Sequence, residues 1–130
     1  MGGTVSHKLS EDDIKFILNE LRKASVRWPG RSQCLKRHRK KVLVGLTKKG
    51  KKKYKYHWQC NKCKNWVKHE NEVEVDHIDE IGPFKGSFDK HIPRIFCAQS
   101  NLQCLCISCH QKKTDEYARS RINWVRKSPR

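Results

Sequence analysis

Cys60-Asn61-Lys62-Cys63 and Cys106-Ile107-Ser108-Cys109 are two Cys-x-x-Cys units with 42 residues between them. Each pair can present two thiolates from one tight turn, and two such pairs make up the tetrahedral ligand set of a structural zinc site. One ion held this way staples the segment from 60 to 109 and dictates which two distant stretches meet. The chain needs such a staple, because only 35% of its 130 residues are hydrophobic and little apolar surface is available to bury. Its seven cysteines, an odd number, suit a reduced chain with metal thiolates better than a disulfide framework. The rival reading, redox pairs or unrelated buried thiols, would account for one unit more readily than for two. Cys104 competes with Cys106 as a ligand, and Cys34, Cys97 and Cys104 otherwise read as small buried hydrophobes.

Charge narrows the partner. The formal net charge is +17, and between Glu20 and Glu70 there are eighteen Lys or Arg and no acidic residue. A block of like charge repels itself unless a polyanion lies nearby. With no clear apolar face to lie on a bilayer, the block points to a nucleic-acid backbone, gaining affinity by counterion release. No apolar run reaches membrane-spanning length and the first residues lack a signal-peptide core, so a cytoplasmic protein with no membrane partner is expected.

Ser10 followed by Glu11, Asp12 and Asp13 predicts a helix start, and Ile14, Ile17, Leu18 and Leu21 continue it as one apolar stripe. A second short helix is expected from about Ser32 through Lys40, and the lysine run from Lys48 to Lys53 reads as a loop or linker and a boundary. These features divide the chain into a basic, mainly helical segment over 1–53 and a zinc-stabilised domain over 54–130. Alternation predicts strands around Tyr54, Tyr56 and Trp58 and around Val73 and Val75, followed by a long ordered loop over 79–100. A helix is expected from Ser108 onward.

Within the stapled segment, Asp76 and His77 are adjacent on a strand and approach a shared site only if the strand ends or twists there. A carboxylate beside an imidazole can hold a divalent ion and take a proton from water. His110 follows directly on a cysteine of the second pair. The order Cys60 to Cys63, Val75-Asp76-His77-Ile78, Asn101-Leu102-Gln103 and Leu105 to Thr114 resembles the HNH nuclease family over about 55 residues. The basic segment more loosely resembles that of small phage-type or homing-type members.

The resemblance implies an α+β chain with a ββα-metal core: two strands with a long loop, then a helix, around one divalent ion. By position, His77 would be the general base and Asn101 would orient its ring. Asp76 and His110 would hold the catalytic metal, and Cys60, Cys63, Cys106 and Cys109 would hold zinc. Thr114 stands where some relatives carry a third ligand, so two protein ligands and a hard cation such as Mg²⁺ or Mn²⁺ are expected. The implied activity is DNA phosphodiester hydrolysis, inhibited by acid, with nicking and double-strand cutting both open and a monomer favoured. Lys36, Arg37, Arg39, Lys40, Lys41, Lys112 and Lys113 are the expected DNA contacts. Two rivals remain: a non-catalytic zinc-ribbon module that binds DNA or RNA, and an RNA-cleaving relative of the same fold.

Overall fold

The computed structural model describes residues 7–127, with side chains through Arg121. Helix α1 (Glu11–Val26) starts on a capping box, in which Ser10 Oγ accepts from Asp13 N and the Asp13 carboxylate accepts from Ser10 N. The stripe of Ile14, Ile17, Leu18 and Leu21 is only half-buried, and no residue of α1 is fully buried. Helix α2 (Pro29–Arg37) starts earlier than expected because Pro29 supplies the preset first helical turn. It also ends earlier, at His38, so Arg39 and Lys40 belong to a strand rather than to a helix.

Strand β1 (Arg39–Leu46) pairs antiparallel with β2 (Lys52–Gln59), and β2 pairs with the two-residue β3 (Trp66–Val67). Of the two readings of Lys48 to Lys53, the loop holds and the linker does not. The run contributes the turn of a hairpin, closed by Thr47 N to Lys51 O at 2.7 Å and Gly50 N to Thr47 O at 2.9 Å. A boundary at residue 53 would cut β2, and the mainly helical reading of 1–53 gives way to two helices and a strand. Arg39 pairs across the ladder with Trp58 and Lys41 with Tyr56, which sets basic side chains beside aromatic ones where a helix would crowd them against one another.

Strand β4 (Val73–His77) pairs antiparallel with β5 (Leu102–Cys106), which runs directly into α4 (Ile107–Lys127). The connection between them, expected as a long ordered loop, contains a helix. Helix α3 (Phe88–Ile95) forms there despite Pro93, with His91 and Ile95 buried four residues apart on one face. A 3₁₀ turn over Gln99–Asn101 leads into β5. The result is a mixed α and β chain with two small sheets. The main core is Cys34, Trp58, Val67, Val73, Leu102 and Cys104, and a smaller one is Cys60, Leu105 and Cys109. Sulfur supplies half of these buried positions or nearly so, which reflects how few large apolar side chains are on hand. No described helix is long and apolar enough to cross a membrane.

Candidate metal centre

The first Cys-x-x-Cys unit forms a knuckle beyond β2. Cys60 N donates to Asn65 O at 2.9 Å, Lys64 N donates to Cys60 O at 3.0 Å, and Lys64 takes a left-handed φ of 64° that closes the turn. The second unit spans the end of β5 and the first turn of α4, which places Cys106 and Cys109 on adjoining turns of chain. Asn61 pins the two units together, its backbone N to Cys104 O at 2.8 Å and its side-chain Nδ2 to Gln103 Oε1 at 2.8 Å. The four sulfur atoms lie within 4.8 Å of one another, so this cluster can hold a metal ion. Cys63 Sγ and Cys106 Sγ are 3.9 Å apart. Zinc–sulfur bonds of about 2.3 Å at tetrahedral angles put two sulfurs about 3.8 Å apart, so this edge needs almost no adjustment.

The thiols of the cluster are poised unequally. Burial pushes Cys60 up, yet the backbone amides of Cys106, Cys63 and Lys62 together outweigh it and bring the thiol down to about 6. Cys109 is pushed up to about 12, mainly by its hydrogen bond with Cys106, then by burial and the other sulfurs. Four thiolates this close repel one another, and a bound dication removes that penalty.

A second group, Cys34, His38 and Cys104, also brings its ligand atoms within 4.8 Å and can hold a metal ion. Cys34 and Cys104 are fully buried, which agrees with their reading as buried residues, but the partnership with His38 gives them chemistry that a small hydrophobe lacks. The Cys34 thiol is lowered to about 7 by a hydrogen bond from Cys104, then by the nearby charges of His38 and Arg37 against the opposing effect of burial. Cys104 is correspondingly raised. A Cys-x-x-x-His spacing at a helix end is the signal that sequence reading passed over.

On the other side of β4, the structure brings Asp76 and His110 together. Asp76 is buried, and His110 Nε2 reaches within 3.7 Å of Asp76 Oδ1. Gln103 Nε2 donates to Asp76 Oδ2 at 2.9 Å and orients the carboxylate, a role not expected for Gln103. His77, the last residue of β4, is not in that pair. Its Nε2 bonds to the Ile95 carbonyl oxygen at 2.7 Å, and its ring lines a groove with Trp28, Arg31 and Glu74. A carbonyl only accepts, so Nε2 carries a proton.

Asn101 makes no hydrogen bond to the His77 ring. Its Oδ1 accepts from Asp79 N at 2.9 Å, its Nδ2 faces Asp79 O at 3.4 Å, and its backbone O accepts from Ile78 N at 2.8 Å. It clamps the chain just past β4, and Ile95 holds the ring instead. Thr114 Oγ1 donates to His110 O at 3.0 Å, an internal helix bond rather than a ligand position.

Three of the expected DNA contacts are engaged elsewhere. Lys113 turns inward, its Nζ bonding Asp76 Oδ2 at 2.5 Å, the His77 carbonyl oxygen, and Ile78 O at 3.2 Å, with Glu80 Oε1 at 3.5 Å. Arg37 bridges to Gln99, with Nε to Oε1 at 3.1 Å and Nη2 to the carbonyl oxygen at 3.0 Å. Arg39 stacks on Tyr56 with its guanidinium carbon 3.8 Å from the ring centroid. Lys36, Lys40, Lys41 and Lys112 are exposed. In each departure a buried carboxylate, a free carbonyl or an aromatic face lay within reach, and those positions are not visible from charge alone.

Comparison of the chain with protein-family models, with curated proteins and with solved structures found no match.

Proposed function

We propose that the chain is a zinc-stapled, divalent-metal-dependent DNA endonuclease of the HNH type. One observation carries the reading: Asp76 Oδ1 and His110 Nε2 converge to 3.7 Å next to the strand end at His77, whose Nε2 is held by the Ile95 carbonyl oxygen.

The donor set fits a hard divalent cation such as Mg²⁺ or Mn²⁺, since a carboxylate oxygen and a neutral imidazole leave room for water and phosphate oxygens. Asp76 and His110 would hold that ion, and when bound it would neutralise charge on the scissile phosphate and the leaving oxygen. Cys60, Cys63, Cys106 and Cys109 would hold Zn²⁺. His77 Nδ1 takes a proton from water as the water oxygen attacks phosphorus, and the 3′ oxygen leaves. The Ile95 carbonyl holds the ring in the reactive tautomer and stabilises the imidazolium that forms. Gln103 aims the Asp76 carboxylate, and Asn101 fixes the backbone just beyond His77.

Binding falls to the hairpin. Lys40, Lys41, Lys48, Lys49, Lys51, Lys52, Lys53 and Lys55 are all exposed on β1, β2 and the turn between them. Leu43, Leu46 and Tyr54 on the same ribbon are also exposed, so its outer half buries no core. A two-stranded ribbon fits the major groove of DNA, and its lysines would contact the flanking phosphates.

One interaction favours a second reading, a non-catalytic zinc-bearing nucleic-acid-binding module. Lys113 already neutralises Asp76 without any metal.

Plasmid relaxation separates the two. Wild type with Mg²⁺ or Mn²⁺ should convert supercoiled DNA to open circles or linear product, and EDTA should stop it. His77→Ala should lower the rate about a hundredfold to ten-thousandfold while the protein still shifts DNA. Equal cutting by both proteins, or none by either across substrates and metals, would defeat the nuclease reading.

A further inference from the structure

We propose that Cys34, His38 and Cys104 form a second zinc site, which moors α2 and the root of the basic hairpin to the core. It uses none of the residues of the Cys60 cluster or of the Asp76–His110 face, and it stands or falls independently of the nuclease reading.

The geometry is that of a coordination sphere. Cys34 Sγ and Cys104 Sγ are 4.0 Å apart, and Cys34 Sγ and His38 Nδ1 are 3.8 Å apart. Bond lengths of about 2.3 Å to sulfur and 2.0 Å to nitrogen give tetrahedral edges of about 3.8 Å and 3.5 Å, so the two edges at Cys34 need a shift of a few tenths of an ångström, and the three ligand atoms all lie within 4.8 Å of one another. A disulfide between the same two cysteines would need the sulfurs to halve their separation to about 2.05 Å. His38 Nδ1 lies 2.8 Å from Cys34 O, a bond that coordination by Nδ1 would replace. The buried cluster around the two sulfurs also contains Trp58, whose indole Nε1–H is buried and finds no acceptor among the described residues.

The donor chemistry selects the ion. Two thiolates and an imidazole suit Zn²⁺, whose charge the two thiolates cancel, and exclude Mg²⁺ and Ca²⁺. Three protein ligands leave the fourth position to water. Cys34 and His38 lie four residues apart, on one side of the end of α2, and β1 begins at the next residue, Arg39. Cys104 lies on β5 two residues before Cys106, so one short strand would supply a ligand to each of two ions. The mooring has a use, because α1 buries no residue and the outer hairpin buries none.

The test is metal stoichiometry on the full chain, purified under reducing conditions with zinc and followed by elemental analysis and by Co²⁺ titration. Wild type should hold two ions per chain, and the double variant Cys34→Ser, Cys104→Ser should hold one while its circular dichroism shows a folded chain. Should that double variant fail to fold, His38→Ala serves in its place, weakening the second Co²⁺ equivalent and leaving the first unchanged. One ion in wild type, two in the double variant, a second equivalent indifferent to His38→Ala, or a Cys34–Cys104 disulfide with a single zinc would each overturn the proposal.

Discussion

Lys113 Nζ lies 2.5 Å from Asp76 Oδ2, so a lysine of the last helix closes over the carboxylate at the end of β4. The same ammonium bonds the carbonyl oxygens of His77, the last residue of β4, and of Ile78. Replacing Lys113 by Met should cost about 2 kcal/mol of stability, because hydrogen bonds to a buried charge disappear and Asp76 is left without its cation. Urea unfolding reads this directly. The same variant should bind DNA with unchanged salt dependence, and a shallower dependence would return Lys113 to the DNA interface.

The hairpin should behave in the opposite way. Changing Lys48, Lys49, Lys52 and Lys53 to Gln removes exposed charge from the turn and its flanks without touching the core. Fluorescence anisotropy across a range of salt should show the slope of log K against log salt falling by up to about 3.6, at about 0.9 for each phosphate no longer neutralised. Stability should stay within about 0.5 kcal/mol of wild type, as for other surface changes. An unaltered slope would place the DNA elsewhere on the molecule.

Zinc removal should be more damaging than any single core substitution. A structural zinc in a small domain is worth on the order of 10 kcal/mol, more than a thin core supplies. Cys60→Ser should abolish tight binding at that cluster, and a strong chelator should collapse the near-ultraviolet circular dichroism of wild type. Chelated protein that keeps its spectrum and melting temperature would show that the Cys60 knuckle stands on its hydrogen bonds alone.

Gly30 supplies a test in which packing and helix propensity disagree in sign. A Cβ built there would overlap the ring of Trp28, and Trp28 is itself held edge-on to Phe96 with centroids 5.4 Å apart. Helix propensity alone would make Gly30→Ala stabilising by about 1 kcal/mol. Overpacking of the Trp28 ring should instead make it destabilising by about 2 kcal/mol, measured by urea or thermal unfolding. A more stable variant would mean that Trp28 is free to move aside.

Much of the architecture was legible because its determinants are local. The capping box at Ser10, the alternation of Tyr54, Tyr56 and Trp58, and the paired Cys-x-x-Cys units each occupy a few consecutive residues, and each took the predicted form. Where the reading departed, partners distant in the chain decided the outcome. Lys48 to Lys53 reads as a loop or linker until Arg39 meets Trp58 across a ladder, because nothing within the run reveals that two strands will pair around it.

The sequence by itself determined that four cysteines would meet and that the basic residues would crowd into one half of the chain, since spacing and charge are properties of the string. Only the tertiary structure decided which groups compete for each charge. Asp76 takes Lys113, Gln103 and His110, His77 takes the Ile95 carbonyl in place of Asn101, and Cys34 finds Cys104 seventy residues away. A charge or a proton goes to the nearest partner that burial has stripped of water, and neither proximity nor burial exists before the chain is folded.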